Sequence, residues 1–579
     1  MEPRYSFIRI LRDYLERIFE DNQGMKSLVL DHETTSIISL IITQSEILQK
    51  NVFLVEPIEK SILVSDADER LGHLSAIYII RPTEDNFSKL SQAISNPKYG
   101  NYHLYFTNAV PPAFLSRLAS ADRQEIVRQV FEIFSDFYPI NHDLFTLNLP
   151  STIGLTKSYQ RWQPQDVALM DRMVLGLFSA LLAIKKLPVI RYQRNSELCY
   201  SLADRIHSKL REDPDLMSLY TGRSSNGHKT TIDNVDQSTV LLILDRREDP
   251  VTPLLHQWTY QAMLHDLLNL DMNKVSLKQV SNDLKQIALS SIQDPFYSEN
   301  MFSNFGDLAL SIKSYVDQYE QARQTTGKVE SIEDMKRFIE IYPEFNRMAG
   351  NVSKHVTLTS ELDHAIKARL LLDISEIEQD IACNENRGDQ FRQICEMLRD
   401  SRFNNFDKVK LALLYALRYE KDDKINQIKD MLRQNGIKEE QVELIDAIIQ
   451  YAGSEVRQCD LFHNKNLFAR ARSKVTTVLK NVPNVYTQHQ PYLINTIEHL
   501  IKGKLKESEF TPTAPFNPKE RISTIIIFMV GGTTYEEAKE IALMNQRGME
   551  PTILLGGSYI HNSVSFLAEI TQLIMRNEI

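Results

Sequence analysis

The sequence is poor in cysteine and tryptophan and has no long apolar run. Its four cysteines, Cys199, Cys383, Cys395 and Cys459, stand far apart in 579 residues. Scattered thiols build neither a disulfide framework nor a CxxC metal site, so a reducing compartment is expected. No uninterrupted apolar stretch approaches the roughly 18 residues of a membrane span, so any membrane association is expected to be indirect. The first residues carry Glu2 and Asp13 without a long apolar core, so no secretory signal is expected. A formal charge of -10 from 66 basic and 76 acidic residues is mild for this length, so no nucleic-acid partner is expected. No GxGxxG follows the early apolar runs, and there is no metal-ligand cluster or nucleophile elbow. The run from Gly222 to Thr230 approaches a Walker A loop, but His228 separates Gly227 from Lys229 and no apolar strand precedes Gly222. We therefore expect no cofactor, no metal and no catalytic residue.

What is present centres on Val240 to Leu270. Val240 to Leu244 is an unbroken apolar run, the pattern of a strand covered on both faces. Asp245 opens a charged corner with Arg246, Arg247, Glu248 and Asp249, stiffened by Pro250 and Pro253. A helical period begins at Leu254. Two readings of the corner stand side by side. Its charges pair with one another and cap the turn, or Asp245 and Asp249 line a site at the carboxyl end of a parallel strand.

Upstream, Tyr5 to Phe19 has the spacing of an amphipathic helix. Short β-runs at Ser27, Val52, Ala76 and His103 alternate with helical segments, which predicts a parallel sheet with crossovers. Phe114 to Leu118 and Arg123 to Phe134 are predicted helical. Downstream of the corner the chain is mostly helical. Leu277 to Ile287 is a predicted helix, Asn304 to Thr325 is another, and Ser331 caps a third that Pro343 breaks. A periodic segment then continues to Leu370. Helices over 376–398, 407–419, 424–434 and 439–452 form a bundle. The last sixty or so residues return to α/β: strands from Ile522 and Thr552, glycine turns at Gly531–Gly532 and Gly556–Gly557, and caps pairing Thr533 with Glu536 and Thr534 with Glu537. These late strands need a sheet, and the strands at Val189 and Val240 need partners. Joining them makes one discontinuous domain. The predicted fold is α/β with an all-α insert: residues 1–136, then 137–248 with 481–579, then 249–370 and 371–480.

Two segments carry a family resemblance. Leu241 to Met263 (LLILDRREDPVTPLLHQWTYQAM) and Ile526 to Ala538 (IIFMVGGTTYEEA) are similar to the two signatures of the SM (Sec/Munc) family of syntaxin-binding proteins. FTNAVPP from Phe106, YPEFNRMAGNVSKHV from Tyr342 and NVYTQHQP from Asn484 resemble the same family at matching places. The similarity spans essentially the whole chain and lies nearest the endosomal and trans-Golgi branch. It implies a three-domain arch of Rossmann-like parallel-sheet domains with a mostly helical third domain. It implies a chaperone of SNARE assembly in vesicle docking, fusion and transport to the vacuole or lysosome, cytoplasmic and peripheral on trans-Golgi and endosomal membranes. The implied partners are an endosomal syntaxin (N-peptide and helical SNARE region), a vesicle SNARE, the assembled SNARE complex and tethering factors.

The resemblance also assigns surfaces. Leu115, Leu118, Val127, Val130 and Phe131 match the syntaxin N-peptide site on the first domain. Arg81 and Asn108 are candidates for a central cleft that grips the syntaxin helix. Phe338, Ile341, Pro343, Phe345 and Met348 lie at the tip of a helical hairpin that templates the vesicle SNARE, either as a static scaffold or as a switch that folds back. An α/β enzyme working at the strand ends remains the alternative function.

Overall fold

A computed structural model describes residues 5–62, 70–149, 151–156, 159–212, 236–278, 284–326, 332–462, 485–517, 521–548 and 550–575; side chains are also left undescribed at 159, 237, 322 and from 324 to 345. The Walker-like run Gly222–Thr230 and Ser331 lie outside the described residues. The chain divides into two compact units: Met1–Asp245 with Leu500–Gly531 and Ile541–Tyr559, and Arg246–His499 with Gly532–Glu540 and Ile560–Ile579.

The strands, in chain order, are β1 (Lys26–Leu30), β2 (Val52–Pro57), β3 (Leu71–Ile80), β4 (Tyr99–Phe106), β5 (Val127–Glu132), β6 (Tyr138–Pro139), β7 (Leu144–Thr146), β8 (Pro188–Gln193), β9 (Asp236–Asp245), β10 (Lys274–Ser276), β11 (Gln286–Ala288), β12 (Phe510–Pro512), β13 (Thr524–Val530) and β14 (Thr552–Gly557).

The first unit holds two sheets. The earlier one is all parallel, ordered β2-β1-β3-β4-β5. Its central strands carry apolar side chains on both faces, and Leu28, Val29, Ile77, Tyr78 and Leu104 are fully buried. The crossover helices between them explain why both faces need apolar cover. Asp31 caps the helix His32–Ile41 reciprocally with Thr34, and Thr43 does the same with Glu46 for Gln44–Gln49.

The other sheet is ordered β12-β8-β9-β13-β14-β7-β6. It is parallel in its centre and antiparallel at both edges, where β12 meets β8 and β6 meets β7. β9 and β13 pair directly, Val240 beside Ile525 and Leu244 beside Met529. Strands far apart in sequence thus share a sheet because each is apolar on both faces, which suits the interior of a sheet with helices over both sides. Gly556 admits the ring of Phe145, which would overlap any added Cβ.

The second unit is mostly helical, with β10 and β11 as an antiparallel ribbon. Of the helix expected at 277–287, residues 279–283 lie outside the described residues, and the described ones are not α-helical, with Gln286 and Ile287 in β11. The apolar residues Val275, Leu277, Ile287 and Leu289 alternate toward a buried side, the period-2 signal of a half-buried strand pair. The helix expected from Leu254 begins only at Tyr260, because His256 N–H is held by Glu378 at 2.9 Å and Trp258 Nε1 by Ser375 Oγ at 2.7 Å. Two long helices, Phe305–Thr326 and Ile332–Arg369, pack together. The second of them runs through Pro343, so the break expected there does not occur. Proline removes one rung of the ladder, the bond to the carbonyl of Ile339, and the rungs on either side carry the helix across it. The helix expected over 376–398 is two helices, Leu371–Cys383 and Arg387–Arg399.

Candidate functional site

Sequence order puts the charged corner first. In the first unit Asp245 ends β9, where Ser196 Oγ donates to its carboxylate at 2.6 Å and its own amide donates to Gln193 Oε1 at 2.9 Å. In the second unit Arg246 is 1% exposed and makes two parallel bonds to Glu537, Nη1 to Oε2 at 2.9 Å and Nη2 to Oε1 at 2.8 Å. Glu537 also accepts from Thr533 Oγ1 and from the Thr534 amide, while Thr534 Oγ1 accepts from the Glu537 amide. The Thr534–Glu537 cap therefore forms as expected. The Thr533–Glu536 cap does not, because Glu536 turns to Lys539 at 2.6 Å and Thr533 joins Glu537.

Asp249 accepts from the Thr252 amide at 3.0 Å, Thr252 Oγ1 at 2.6 Å and the Tyr492 amide at 3.0 Å. Burial works to raise its carboxyl, but Arg246 and the Thr252 bonds outweigh burial and hold it below its ordinary value. Glu248 accepts from the Gln458 and Cys459 amides. Burial beside Glu248 pushes the Cys459 thiol far up, which makes it inert. A few residues on, the carboxylate of Glu378 lies between His256 and Lys410, with Lys410 Nζ 2.7 Å from Oε1. The acid expected to serve chemistry is occupied throughout as an anchor.

The candidate cleft residues lie at the carboxyl ends of β3 and β4. Arg81 Nε donates to Asp136 at 2.9 Å, Nη1 to Glu33 at 3.1 Å, and its amide to Asp31 at 2.7 Å. Asn108 is fully buried, with Nδ2 donating to Asp136 at 3.2 Å and to the Leu175 carbonyl at 2.9 Å. Arg172 joins the same carboxylate at 3.2 Å. Asn108 is thus a strut and presents nothing to a cleft. Arg81 keeps 12% of its side chain exposed, beside the more exposed Glu33. Burial opposes the charge on Arg81, yet Asp136, Glu33 and Asp31 hold its guanidinium above its ordinary value.

The five matched N-peptide residues separate. The segment expected as helix over 123–134 is the edge strand β5, because β-branched Ile126, Val127, Val130 and Ile133 meet the open edge of β4. Its pairing slips at Arg128, with Val127 opposite Tyr102 but Gln129 opposite His103. The extra residue puts Val127 and Val130 on one face, the face of Tyr102 and Leu104. The helix Pro112–Ala121 covers that face, with Leu118 buried in the same core. Leu115 is 40% and Val130 41% exposed, which leaves them available at the rim with half-buried Val127. Phe131 stands on the opposite face, stacked on Tyr105 at 5.6 Å. Leu118 and Phe131 therefore leave the set, one to the core and one to the other side of the sheet.

At the far edge of this sheet, exposed Phe53 and Val55 alternate along β2 beside exposed Leu48. Period-2 spacing in VFLVEP carries this signal. Among the hairpin candidates Met348 is half-buried, and the side chains of Phe338, Ile341, Pro343 and Phe345 fall outside the described ones. Among the described residues there is no group of histidine, cysteine and carboxylate side chains suited to a metal, and no helix long and apolar enough to cross a membrane.

The Sec1 family pattern matches residues 26–569. The chain belongs to the Sec1 family. Within it, vacuolar protein sorting-associated protein 45 of Dictyostelium discoideum is 41% identical over 574 residues, covering 98% of this chain and 97% of the relative. The Homo sapiens protein of that name is 39% identical over 568 residues, covering 97% and 95%. In a solved structure of the SM protein Vps45 in complex with the Qa SNARE Tlg2, the matching chain is 37% identical with a TM-score of 0.85, covering 98% of each. Sec1-family proteins of this kind are trafficking regulators and not enzymes, so the enzymatic reading of Asp245 and Asp249 is set aside.

Proposed function

We propose that this chain binds a syntaxin and regulates SNARE assembly in vesicle traffic at trans-Golgi and endosomal membranes, serving protein transport to the vacuole or lysosome. The observation that carries the reading is the end-to-end likeness, 98% of both chains at 37% identity, to a protein solved with a Qa SNARE. In this reading the syntaxin N-peptide lies along the rim formed by Leu115, Val127 and Val130. Its helical region meets the first sheet near Arg81 and the exposed row Leu48, Phe53 and Val55. The vesicle SNARE aligns on the long helix Ile332–Arg369 at Pro343 and Met348. SNARE motifs that are disordered alone lose chain entropy on zippering, and a surface that holds two of them in register lowers that nucleation cost without a cofactor. Tethering factors and the assembled SNARE complex are further partners, and the chain is held at membranes peripherally through them. The test is co-purification with the cytosolic part of an endosomal Qa SNARE, followed by liposome fusion. Failure to co-purify and failure to accelerate fusion would each contradict the reading.

A further inference from the structure

Among the described residues, an unpaired strand edge, a groove, a glycine and lysines without an ion pair lie on and beside one ribbon in the second unit. Val275 and Ile287 are the central pair of the β10–β11 ribbon, flanked by Leu277 N–H donating to the Lys285 carbonyl at 2.9 Å and Leu289 N–H donating to the Asn273 carbonyl at 2.8 Å. Odd-numbered residues of β11 therefore bond to β10, and the N–H and C=O of Gln286 and Ala288 point to the other edge. Among the described residues no backbone group meets them there. Along this edge runs an open groove of about 410 Å³. Leu284, Gln286 and Ala288 line one wall, and Gly350, Ser353 and Lys354 of the long helix line the other.

Gly350 sits inside a helix, where glycine is weaker than alanine. Among the described residues a Cβ added there meets nothing within 4 Å, so their packing does not require the glycine. Lys274, Lys278 and Lys285 are exposed on and beside the ribbon, and among the described residues none of them makes an ion pair. Lys354, by contrast, is bonded to Asp294.

We propose that the free edge of β11 receives an acidic, extended peptide segment as a third strand, with its carboxylates on the exposed face of the ribbon toward Lys274 and Lys278 and its backbone close to Gly350. Each feature asks for one part of that ligand. The outward amides and carbonyls call for an extended backbone, as in strand addition to an open edge. The lysines call for carboxylates. An anionic membrane satisfies the lysines but leaves the edge unpaired, so the edge favours a peptide.

The experiment uses the full chain and needs no SNARE. Fluorescence anisotropy follows a fluorescein-labelled dodecapeptide of alternating glutamate and valine, its analogue N-methylated at every second residue, and a lysine–valine control. Phosphatidylserine–phosphatidylcholine vesicles are tested by co-sedimentation. The glutamate peptide is expected to bind, and the lysine peptide is not. N-methylation of the peptide, Ala288→Pro and Gly350→Leu are each expected to weaken binding at least tenfold. Gly350→Leu keeps every backbone donor of the ribbon, so it tests the groove even if Ala288→Pro unfolds the ribbon. The proposal is overturned if the glutamate peptide fails at millimolar concentration, if the N-methylated peptide binds equally, or if Gly350→Leu changes nothing. Vesicle binding without peptide binding also overturns it and makes the patch a membrane contact.

Discussion

Arg246 and Glu537 face each other in a doubly hydrogen-bonded pair, at 2.9 and 2.8 Å, although 291 residues separate them. Each belongs to one of the two segments that carry the family resemblance, and each is sealed from water. Burial opposes the charge of Arg246, but Glu537 and Asp249 hold it above its ordinary value. Removing one member leaves the other buried and uncompensated, which costs about 3–5 kcal/mol. Arg246→Met alone and Glu537→Leu alone should each show that loss in denaturant unfolding. The double variant should recover part of it, because Glu537 is no longer left as an orphan charge, while Asp249 keeps its bonds from Thr252 and Tyr492. Strictly additive losses would contradict this account of the pair.

The sorting of the N-peptide candidates by sheet face gives a discriminating set. Leu115→Trp is expected to weaken a syntaxin N-peptide at least tenfold by calorimetry, about 1.4 kcal/mol or more, with unfolding unchanged. Phe131→Ala, on the other face, should leave the affinity as it was. Leu118→Ala should instead destabilise the first sheet by about 2–5 kcal/mol. Equal effects of Leu115 and Phe131 on affinity would contradict the placement.

The helix that crosses Pro343 makes a second set. Replacing the proline with alanine restores a rung and removes a penalty of about 3 kcal/mol in an unstrained helix interior. Pro343→Ala is expected to slow amide exchange over the helix Ile332–Arg369 and to raise vesicle-SNARE binding several-fold, with N-peptide affinity constant. Slower exchange with unaltered SNARE binding would reject the switch and leave a static scaffold.

Buried Glu378 and half-buried His265 both contribute to the acid limb of stability. Glu378 feels burial that would raise its carboxyl, but His256 and Lys410 hold it down to about 2. A depressed carboxyl contributes stability above its unfolded value, near 4.5, and that contribution is lost as pH falls toward 2. Burial lowers His265 from 6.5 to about 4, so the unfolded chain takes up a proton first and stability falls as pH drops through that window. Glu378→Gln should flatten the lower part of the limb, and His265→Phe the part between about 6.5 and 4. Unfolding midpoints at stepped pH read both, and a limb unchanged in either variant would count against that group.

The sequence alone determined which segments are strands in the sheet centres. Val240–Leu244 and Ile525–Val530 are apolar at every position, and such a run has no stable place except between other covered strands. It determined the cap at Thr534 as well, because a cap is a contact between residues three apart. The two signature segments made the family legible before any geometry. Only tertiary structure decided the rest. Arg123 to Phe134 has helical spacing, yet Val127–Glu132 within it becomes an edge strand, since the open edge of β4 offers its backbone partners. The slip at Arg128 then separates Val130 from Phe131 across the sheet, and no local pattern encodes a slip in pairing. Asn108 stood out as a polar corner residue, yet Asp136 and Leu175 claim it from distant segments. Burial and pairing of a polar side chain depend on what the fold brings opposite it, and that is set by contacts hundreds of residues away, as between Arg246 and Glu537.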